Sequence, residues 1–166
     1  MRWQAQQEQV GRPLKIADFV RPDLVISDLL GRSKPEVLAE LARHLAERQP
    51  EINGDVLYKV LMDREHLAST AIGEEVAIPH GKLEVVTRLL ACVGRSRKGV
   101  DFDSVDGRPT HIFFVLVAPE NSTGIHLKAL ARISRLFKDA ELRARLISAP
   151  TADAIYRAIV DEDAKH

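Results

Sequence analysis

The chain has little cysteine, few aromatic residues and no long hydrophobic run. Its single cysteine, Cys92, excludes an internal disulfide framework and a cysteine-rich zinc module. The longest apolar run, residues 112–118, is far shorter than the roughly 20 residues that span a bilayer. The first residues lack the apolar segment of a signal peptide. We therefore expect a cytoplasmic protein with no direct membrane insertion.

The chain also lacks an excess of either charge. It contains 24 Lys and Arg residues and 24 Asp and Glu residues, so its formal net charge is zero. Proteins that bind nucleic acid usually carry a basic surface, and this balance argues against such a partner. Any site for an anion must therefore be local.

The length of 166 residues suits a single domain with a full hydrophobic core. Residues 1–13 are polar and rich in glutamine, and Trp3 is their only large apolar side chain. We expect a flexible N-terminal arm over residues 1–13 and one folded domain over residues 14–166.

Two helices are predicted first. Ser33 is a candidate N-cap with Glu36 three residues later, and apolar residues then follow at helical spacing. A second helical pattern covers residues 55–67, after the break at Asn53–Gly54, and Arg64 lies near its end.

Short β-type runs follow at residues 76–78, 89–93 and 111–118. The last run is apolar on both faces, which is typical of a strand covered on both sides. Helical patterns then occupy residues 122–139 and 151–160. The apolar face of the first of these is traced by Leu127, Leu130, Ala131, Ser134 and Phe137. This order predicts an α/β fold in one domain, with a mixed β-sheet flanked by helices on both faces.

The sequence Ile78-Pro79-His80-Gly81 contains the most informative histidine. Pro79 fixes its own φ, removes a donor and favours an extended Ile78, whereas Gly81 permits a positive φ. We expect the backbone to turn sharply off a strand end here and to present the imidazole. By itself such a turn proves little, because a histidine in a turn is more often a surface residue than a functional one.

Two further residues strengthen a functional interpretation of His80. His126 begins a helix that directly follows a buried strand, which is where α/β sheets place ligands. The free N–H groups and the dipole of that helix end attract anions. Arg64 precedes the polar segment Ser69–Thr70, which leads into the strand that carries His80. Two histidines, a guanidinium group and hydroxyl groups could therefore converge.

This set of side chains fits some chemistries better than others. The chain has no HxH, HExxH or Cys-His cluster and no GxSxG, so we predict no metal, no cofactor and no serine hydrolase. A phosphoryl-acceptor histidine needs one neutral ring nitrogen, a partner for the other nitrogen and nearby cations. Arg64 and a protonated or N–H-donating His126 could balance the charge of a phosphoryl group on His80.

Three ordered blocks carry a family resemblance. They are STAIGEEVAIPHGK at residues 69–82, GVDFDSVDGRP leading into HIFFVLVAPE, and HLKALARISRLFKD at residues 126–139. They resemble the EIIA component of the mannitol/fructose class of the phosphoenolpyruvate-dependent sugar phosphotransferase system. The resemblance covers about residues 14–160. The opening region also resembles the nitrogen-regulatory subgroup, in which phosphorylation state controls binding to other proteins.

The resemblance implies specific roles. His80 would be phosphorylated by the phosphocarrier HPr or its nitrogen-branch counterpart, with His126 as the second active-site histidine and Arg64 as the active-site arginine. The phosphoryl group would pass to a cysteine of an EIIB domain, or the phosphorylated state would act as a signal to a regulatory target. No fused EIIB, EIIC or HPr domain is present in the sequence, which favours a free-standing protein. We expect Ile78 and Ile125 to form an apolar rim for partner docking.

One departure keeps a second function open. Where the family commonly has glycine and asparagine before the apolar run, this chain has Glu74 and Glu75. Carboxylates within several ångströms of His80 would disfavour its phosphorylated form. A regulatory module that has the same fold and binds a protein target without catalysis is therefore the alternative.

Overall fold

The computed structural model describes residues 14–166 and confirms an α/β fold with a mixed sheet. The predicted N-terminal arm, residues 1–13, lies outside the described residues. No helix in the described part is long and apolar enough to cross a membrane. In chain order the elements are β1 (Val25–Ile26), α1 (Lys34–Arg48), α2 (Gly54–Leu67), β2 (Ala71–Gly73), β3 (Val76–Ala77), β4 (His80–Leu83), β5 (Leu90–Val100), β6 (Thr110–Pro119), α3 (Thr123–Leu136), α4 (Ala140–Ser148) and α5 (Ala152–Ala164).

Strand β6 lies at the centre of the sheet. The strand order is β1-β5-β6-β3-β2, with β5 antiparallel to β6 and β3 parallel to it. Strand β4 also pairs with β6 in parallel and continues the pairing begun by β3. Val76 pairs with Ile112, and four residues later His80 pairs with Leu116, so the register is the same on both sides of the interruption. Strands β3 and β4 are thus two segments of one interrupted strand.

Helices cover both faces of the sheet, as the apolar pattern of β6 predicted. Alternate residues of β6 point to opposite sides: Phe114 and Leu116 enter the core beneath α3, α4 and α5, whereas Phe113 and Val115 enter the core beneath α1 and α2. All four side chains are fully buried. At roughly 1.5–3 kcal/mol for each large apolar side chain removed from water, the two cores supply most of the driving force for folding.

The helix starts largely follow the sequence signals. The Ser33 hydroxyl accepts a hydrogen bond from the Glu36 amide at 3.3 Å. The Glu36 carboxylate in turn accepts from the Arg32 amide at 3.3 Å. Asn53 caps α2 through its side-chain oxygen, so the Asn53–Gly54 pair begins that helix.

The predicted sharp turn at His80 is wrong. The backbone departs from strand geometry only at Ile78 and Pro79. Pairing with β6 resumes at His80, because β6 extends beyond Phe113, the residue that pairs with Ala77. Gly81 does not have a positive φ. It is needed for close packing instead, since a Cβ there would lie 2.4 Å from a methyl carbon of Val60 on α2.

The apolar face predicted for α3 is confirmed only in part, since Phe137 is 1% exposed and Leu130 packs against the core. Leu127 was expected in the core, but 58% of it is exposed. The buried face is instead formed by Ile125, His126, Ala129, Ile133 and Leu136. A histidine takes a core position at the start of this helix, and hydrophobic periodicity cannot reveal a polar residue in such a position.

Candidate functional site

His80 is oriented by the interruption between β3 and β4. Its Nδ1 lies 2.8 Å from the carbonyl oxygen of Ile78. A carbonyl oxygen only accepts hydrogen bonds, so Nδ1 carries the proton and donates it. In the neutral ring the lone pair is therefore on Nε2. The ring is half-buried, so it is partly accessible from solvent.

The surroundings of His80 favour this neutral, nucleophilic form. Burial lowers the pKa of His80 below its ordinary 6.5. The hydrogen bond to Ile78 opposes this shift, the positive charge of Arg64 adds to it and the charge of Glu65 opposes it. At neutral pH the ring is mainly uncharged.

His126 lies beside His80, as the sequence predicted. Their ring centroids are 5.5 Å apart, with an angle of 55° between the planes. Only 6% of His126 is exposed, and its Nδ1 has no hydrogen-bond partner among residues 14–166. Burial, together with the charges of His80 and Lys82, lowers the pKa of His126 to about 4. At neutral pH this residue is thus an uncharged ring and not a cation.

Lys82 is a cation of the site that the sequence reasoning missed. Its Nζ donates to the hydroxyl of Thr123, the first residue of α3, at 2.9 Å. Its charge also reaches His126, whose pKa it helps to lower. The signal was present in the sequence, because residues two apart in a strand share a face and Lys82 follows His80 by two.

Arg64 lies in the last turn of α2. Its Nη1 donates to the carbonyl oxygen of Ala68 at 2.9 Å, which holds the side chain at the end of its own helix. Its charge lowers the pKa of His80. The structure therefore brings together all three residues predicted to form the site: His80, His126 and Arg64.

Glu74 and Glu75, the departure from the family pattern, do not face His80. The Glu74 carboxylate lies 3.2 Å from Arg108 and 3.2 Å from Arg143, and the Glu75 carboxylate lies 2.8 Å from Arg108. The Glu75 carbonyl accepts from the Ile112 amide, whereas His80 pairs with Leu116. At about 3.3 Å per residue along the strand, the two positions are separated by roughly 13 Å.

The predicted docking rim of Ile78 and Ile125 is wrong. Ile78 is only 3% exposed and Ile125 only 9% exposed, and both belong to the core between the sheet and α3. The alternation of the strand and the phase of α3 turn these side chains inward. Two apolar residues near the site residues in sequence are exposed instead: Leu67, at the end of α2, and Leu127, which follows His126.

The described part of the chain offers little to a metal or to a second nucleophile. Among residues 14–166, no group of three His, Cys, Asp or Glu side chains could hold a metal ion. Cys92 is fully buried, and burial raises the pKa of its thiol to about 12.

Comparison with known proteins identifies the family and agrees with the fold. Residues 18–162 match the family described as phosphoenolpyruvate-dependent sugar phosphotransferase system, EIIA 2. The chain belongs to this family. It is an EIIA-type component with a phosphocarrier or regulatory role, which confirms the family and the class of function that the sequence indicated.

Three relatives illustrate the range of this family. A nitrogen regulatory protein of Bradyrhizobium diazoefficiens is 41% identical over 86% of this chain and 93% of its own length. The fructose-specific EIIABC component of Bacillus subtilis is 34% identical over 90% of this chain but 24% of its own length. The crystal structure of nitrogen regulatory protein IIA-Ntr from Neisseria meningitidis has 30% identity and a TM-score of 0.81, covering 87% of this chain and 98% of that one.

Proposed function

We propose that the chain is a phosphohistidine carrier that accepts a phosphoryl group on Nε2 of His80 from an HPr-type carrier protein. The observation that supports this most directly is the 2.8 Å hydrogen bond from Nδ1 of His80 to Ile78. This bond fixes the tautomer that leaves the Nε2 lone pair free, and burial keeps the ring neutral.

The transfer needs no general base. The Nε2 lone pair of His80 attacks the phosphorus atom of the donor, a phosphorylated ring nitrogen of the carrier. The phosphorus–nitrogen bond of the donor breaks, and its electron pair returns to the donor ring, which leaves as a neutral imidazole because its other nitrogen carries a proton. His80 keeps its Nδ1 proton throughout, because Ile78 continues to accept that hydrogen bond.

Several groups can stabilise the roughly two negative charges of the phosphoryl group. Arg64 and Lys82 supply positive charge from the end of α2 and from β4. His126 is neutral before transfer, so it contributes an N–H donor. The N-terminus of α3, a helix of 14 residues, adds its partial positive charge on the same side as His126.

The phosphorylated protein can act in two ways. It can donate the phosphoryl group to a cysteine of an EIIB domain, or it can bind a regulatory target according to its phosphorylation state. We favour regulation in the cytoplasm, because the relatives at 41% and 30% identity are nitrogen regulatory proteins and both match nearly along their full length. The similarity to the fructose-specific component supports the other role, transfer to an EIIB cysteine.

The test is incubation with phosphoenolpyruvate, the general phosphotransferase enzyme and an HPr-type carrier. Intact mass measurement should show one acid-labile phosphoryl group on the wild-type protein and none on His80→Ala. His44→Ala is the matched control, since this histidine lies on α1 and its ring contacts the carbonyl oxygen of Asp23. It should be labelled as efficiently as the wild type.

Two results would overturn the proposal. Label retained by His80→Ala would remove His80 as the acceptor. The absence of label with several carriers would favour the alternative, a regulatory module that binds its target without phosphoryl transfer.

A further inference from the structure

Glu65 is a buried carboxylate that the proposed transfer does not use. It lies in the last turn of α2, next to Arg64, and only 5% of it is exposed. Its two oxygens accept from the Thr70 amide at 3.1 and 3.2 Å, and one of them also accepts from the Thr70 hydroxyl. A buried charge of this kind is costly unless it is paired, so its partners explain how it is tolerated.

Lys34 supplies the compensating charge. Its Nζ lies 3.1 Å from the Glu65 carboxylate and 2.9 Å from that of Asp103, and it stands 4.7 Å from the ring centroid of Phe102. Burial alone would lower the pKa of Lys34, but its hydrogen bonds to Asp103 and Glu65 raise it overall. Lys34 therefore stays charged and pairs with Glu65.

The hydrogen bonds continue from Thr70 to the acceptor histidine. The carbonyl oxygen of Thr70 accepts from the Ile78 amide at 3.0 Å. The carbonyl oxygen of Ile78 accepts from Nδ1 of His80 at 2.8 Å. Two residues, Thr70 and Ile78, thus join the buried carboxylate to the ring: Glu65 accepts from Thr70, Thr70 accepts from Ile78, and Ile78 accepts from His80.

We propose that Glu65 is a positioning residue for His80, which fixes the tautomer of the ring through Thr70 and Ile78. This inference rests on the proposed role of His80 as acceptor. Glu65 touches neither the ring nor an incoming phosphoryl group in this arrangement. Its part is to set the position of the one carbonyl group that decides which ring nitrogen is free.

A purely structural role for Glu65 makes a different prediction. Glu40 provides the comparison, since its carboxylate also anchors backbone amides, those of Leu30 and Gly31 at 2.9 Å, in the loop before α1. No recorded hydrogen bond of the described residues leads from Glu40 to His80. Glu40→Gln should therefore disturb local stability without changing the state of the ring.

The direction of the pKa change of His80 separates the two roles. Among residues 14–166, the charged groups that act on this ring or on the neighbouring ring of His126 are Arg64, Glu65 and Lys82. Loss of the Glu65 charge and weakening of the Ile78 hydrogen bond both lower the pKa of His80 further. Simple loosening of the structure would relieve burial, the largest cause of the shift, and would raise the pKa toward 6.5.

The experiment is a titration of the unphosphorylated protein, followed by ¹⁵N NMR of the histidine rings, in the wild type, Glu65→Gln, Thr70→Val and Glu40→Gln. Glu65→Gln should lower the pKa of His80 and increase the fraction of rings with the proton on Nε2. Thr70→Val keeps the backbone amide and should produce the same changes at smaller size. Glu40→Gln should produce neither.

Phosphoryl acceptance provides the second measurement. Glu65→Gln should be phosphorylated about tenfold more slowly than the wild type, the factor expected for one charge-assisted hydrogen bond. Thermal unfolding of each variant checks that the fold is retained. A rise in the pKa of His80 in Glu65→Gln, or an unchanged tautomer, would overturn the positioning role.

The two proposals can fail separately. If the wild-type protein accepts no phosphoryl group, the proposed function is wrong, while the NMR titration still reports whether Glu65 sets the tautomer. If His80 is phosphorylated but its tautomer is the same in Glu65→Gln as in the wild type, only the positioning role is wrong.

Discussion

The two ends of the interrupted strand β3–β4 differ in how completely their charged and polar side chains are paired. At the end near Val76, Glu74 and Glu75 are matched by Arg108 and Arg143, within 2.8 to 3.2 Å. At the end near His80, the ring of His126 is buried with an unpartnered Nδ1 among the described residues. At the first end, both carboxylates have arginine partners. At the second end, hydrogen-bond donors and positive charge outnumber the nearby acceptors.

This difference indicates which end is built to receive a ligand. Ion pairs that satisfy one another at an exposed surface contribute little stability and leave no unmet demand for a partner. A buried polar atom without a partner costs about 1–3 kcal/mol, which a bound phosphoryl group could recover in part. The predictions below test this contrast.

The largest expected effect is the pH dependence of stability at the histidine end. The unfolded chain takes up a proton on His126 near pH 6.5, but the folded protein does so only near its pKa of about 4. The free energy of unfolding should therefore fall as pH decreases from 6.5 toward 4, by up to about 3 kcal/mol at about 1.4 kcal/mol per pKa unit. Urea unfolding across this range measures the change.

The matched variant is His126→Gln, in which this contribution should disappear and the pH profile should flatten. An equal slope in the variant and the wild type would show that His126 is not the group responsible.

Removal of the second histidine tests its share in transfer. His126→Ala should still accept a phosphoryl group on His80, but about a hundredfold more slowly, as expected for one lost donor to a developing charge. Rapid-quench measurement of phosphorylation gives the rate. Transfer at the wild-type rate would take His126 out of the mechanism.

Lys82 should have a smaller effect, because its Nζ already donates to the Thr123 hydroxyl and its charge acts on His126. Lys82→Met should slow phosphorylation by about tenfold, and Lys82→Arg should retain most of the rate, since it preserves the charge. The same rapid-quench assay distinguishes the two variants. Equal rates for methionine and arginine would mean that the Lys82 charge plays no part.

The smallest effect is expected at the other end of the strand. Glu74 and Glu75 have φ angles of 56° and 71°, in the left-handed region that costs a non-glycine residue about 1–2 kcal/mol. Replacing them with Asn and Gly removes this strain together with the ion pairs to Arg108. We expect an unchanged or higher melting temperature and a transfer rate within about twofold of the wild type. A large loss of transfer would contradict the separation of the two ends.

The sequence predicted most of the fold because its signals are strong where the chain is buried. The run 111–118 is apolar on both faces, and it became the central strand with helices on each side. Strands β1 and β2 were missed because two or three residues cannot show a period, whereas the equally short β3 was predicted from an apolar run that ends at Pro79. Helix α4 was not delimited, since it follows α3 after only three intervening residues.

The site was predicted in part for similar reasons. His80 and His126 come together as expected because β4 pairs with β6 and α3 begins directly after β6, whereas Arg64 acts on the site from the last turn of α2. The inward positions of Ile78 and Ile125 depend on the phase of each element, which residue type alone does not determine. The chain of hydrogen bonds from Glu65 could not be read from sequence, because its links are backbone groups that every residue possesses.

The interruption at Ile78 and Pro79 also limits how the chain length can vary here. Both halves of the strand keep the same register with β6, so the number of residues between Ala77 and His80 is fixed at two. One added or deleted residue would place the imidazole on the opposite face of the sheet, away from α3. Engineering of this segment can therefore exchange side chains but cannot change their number.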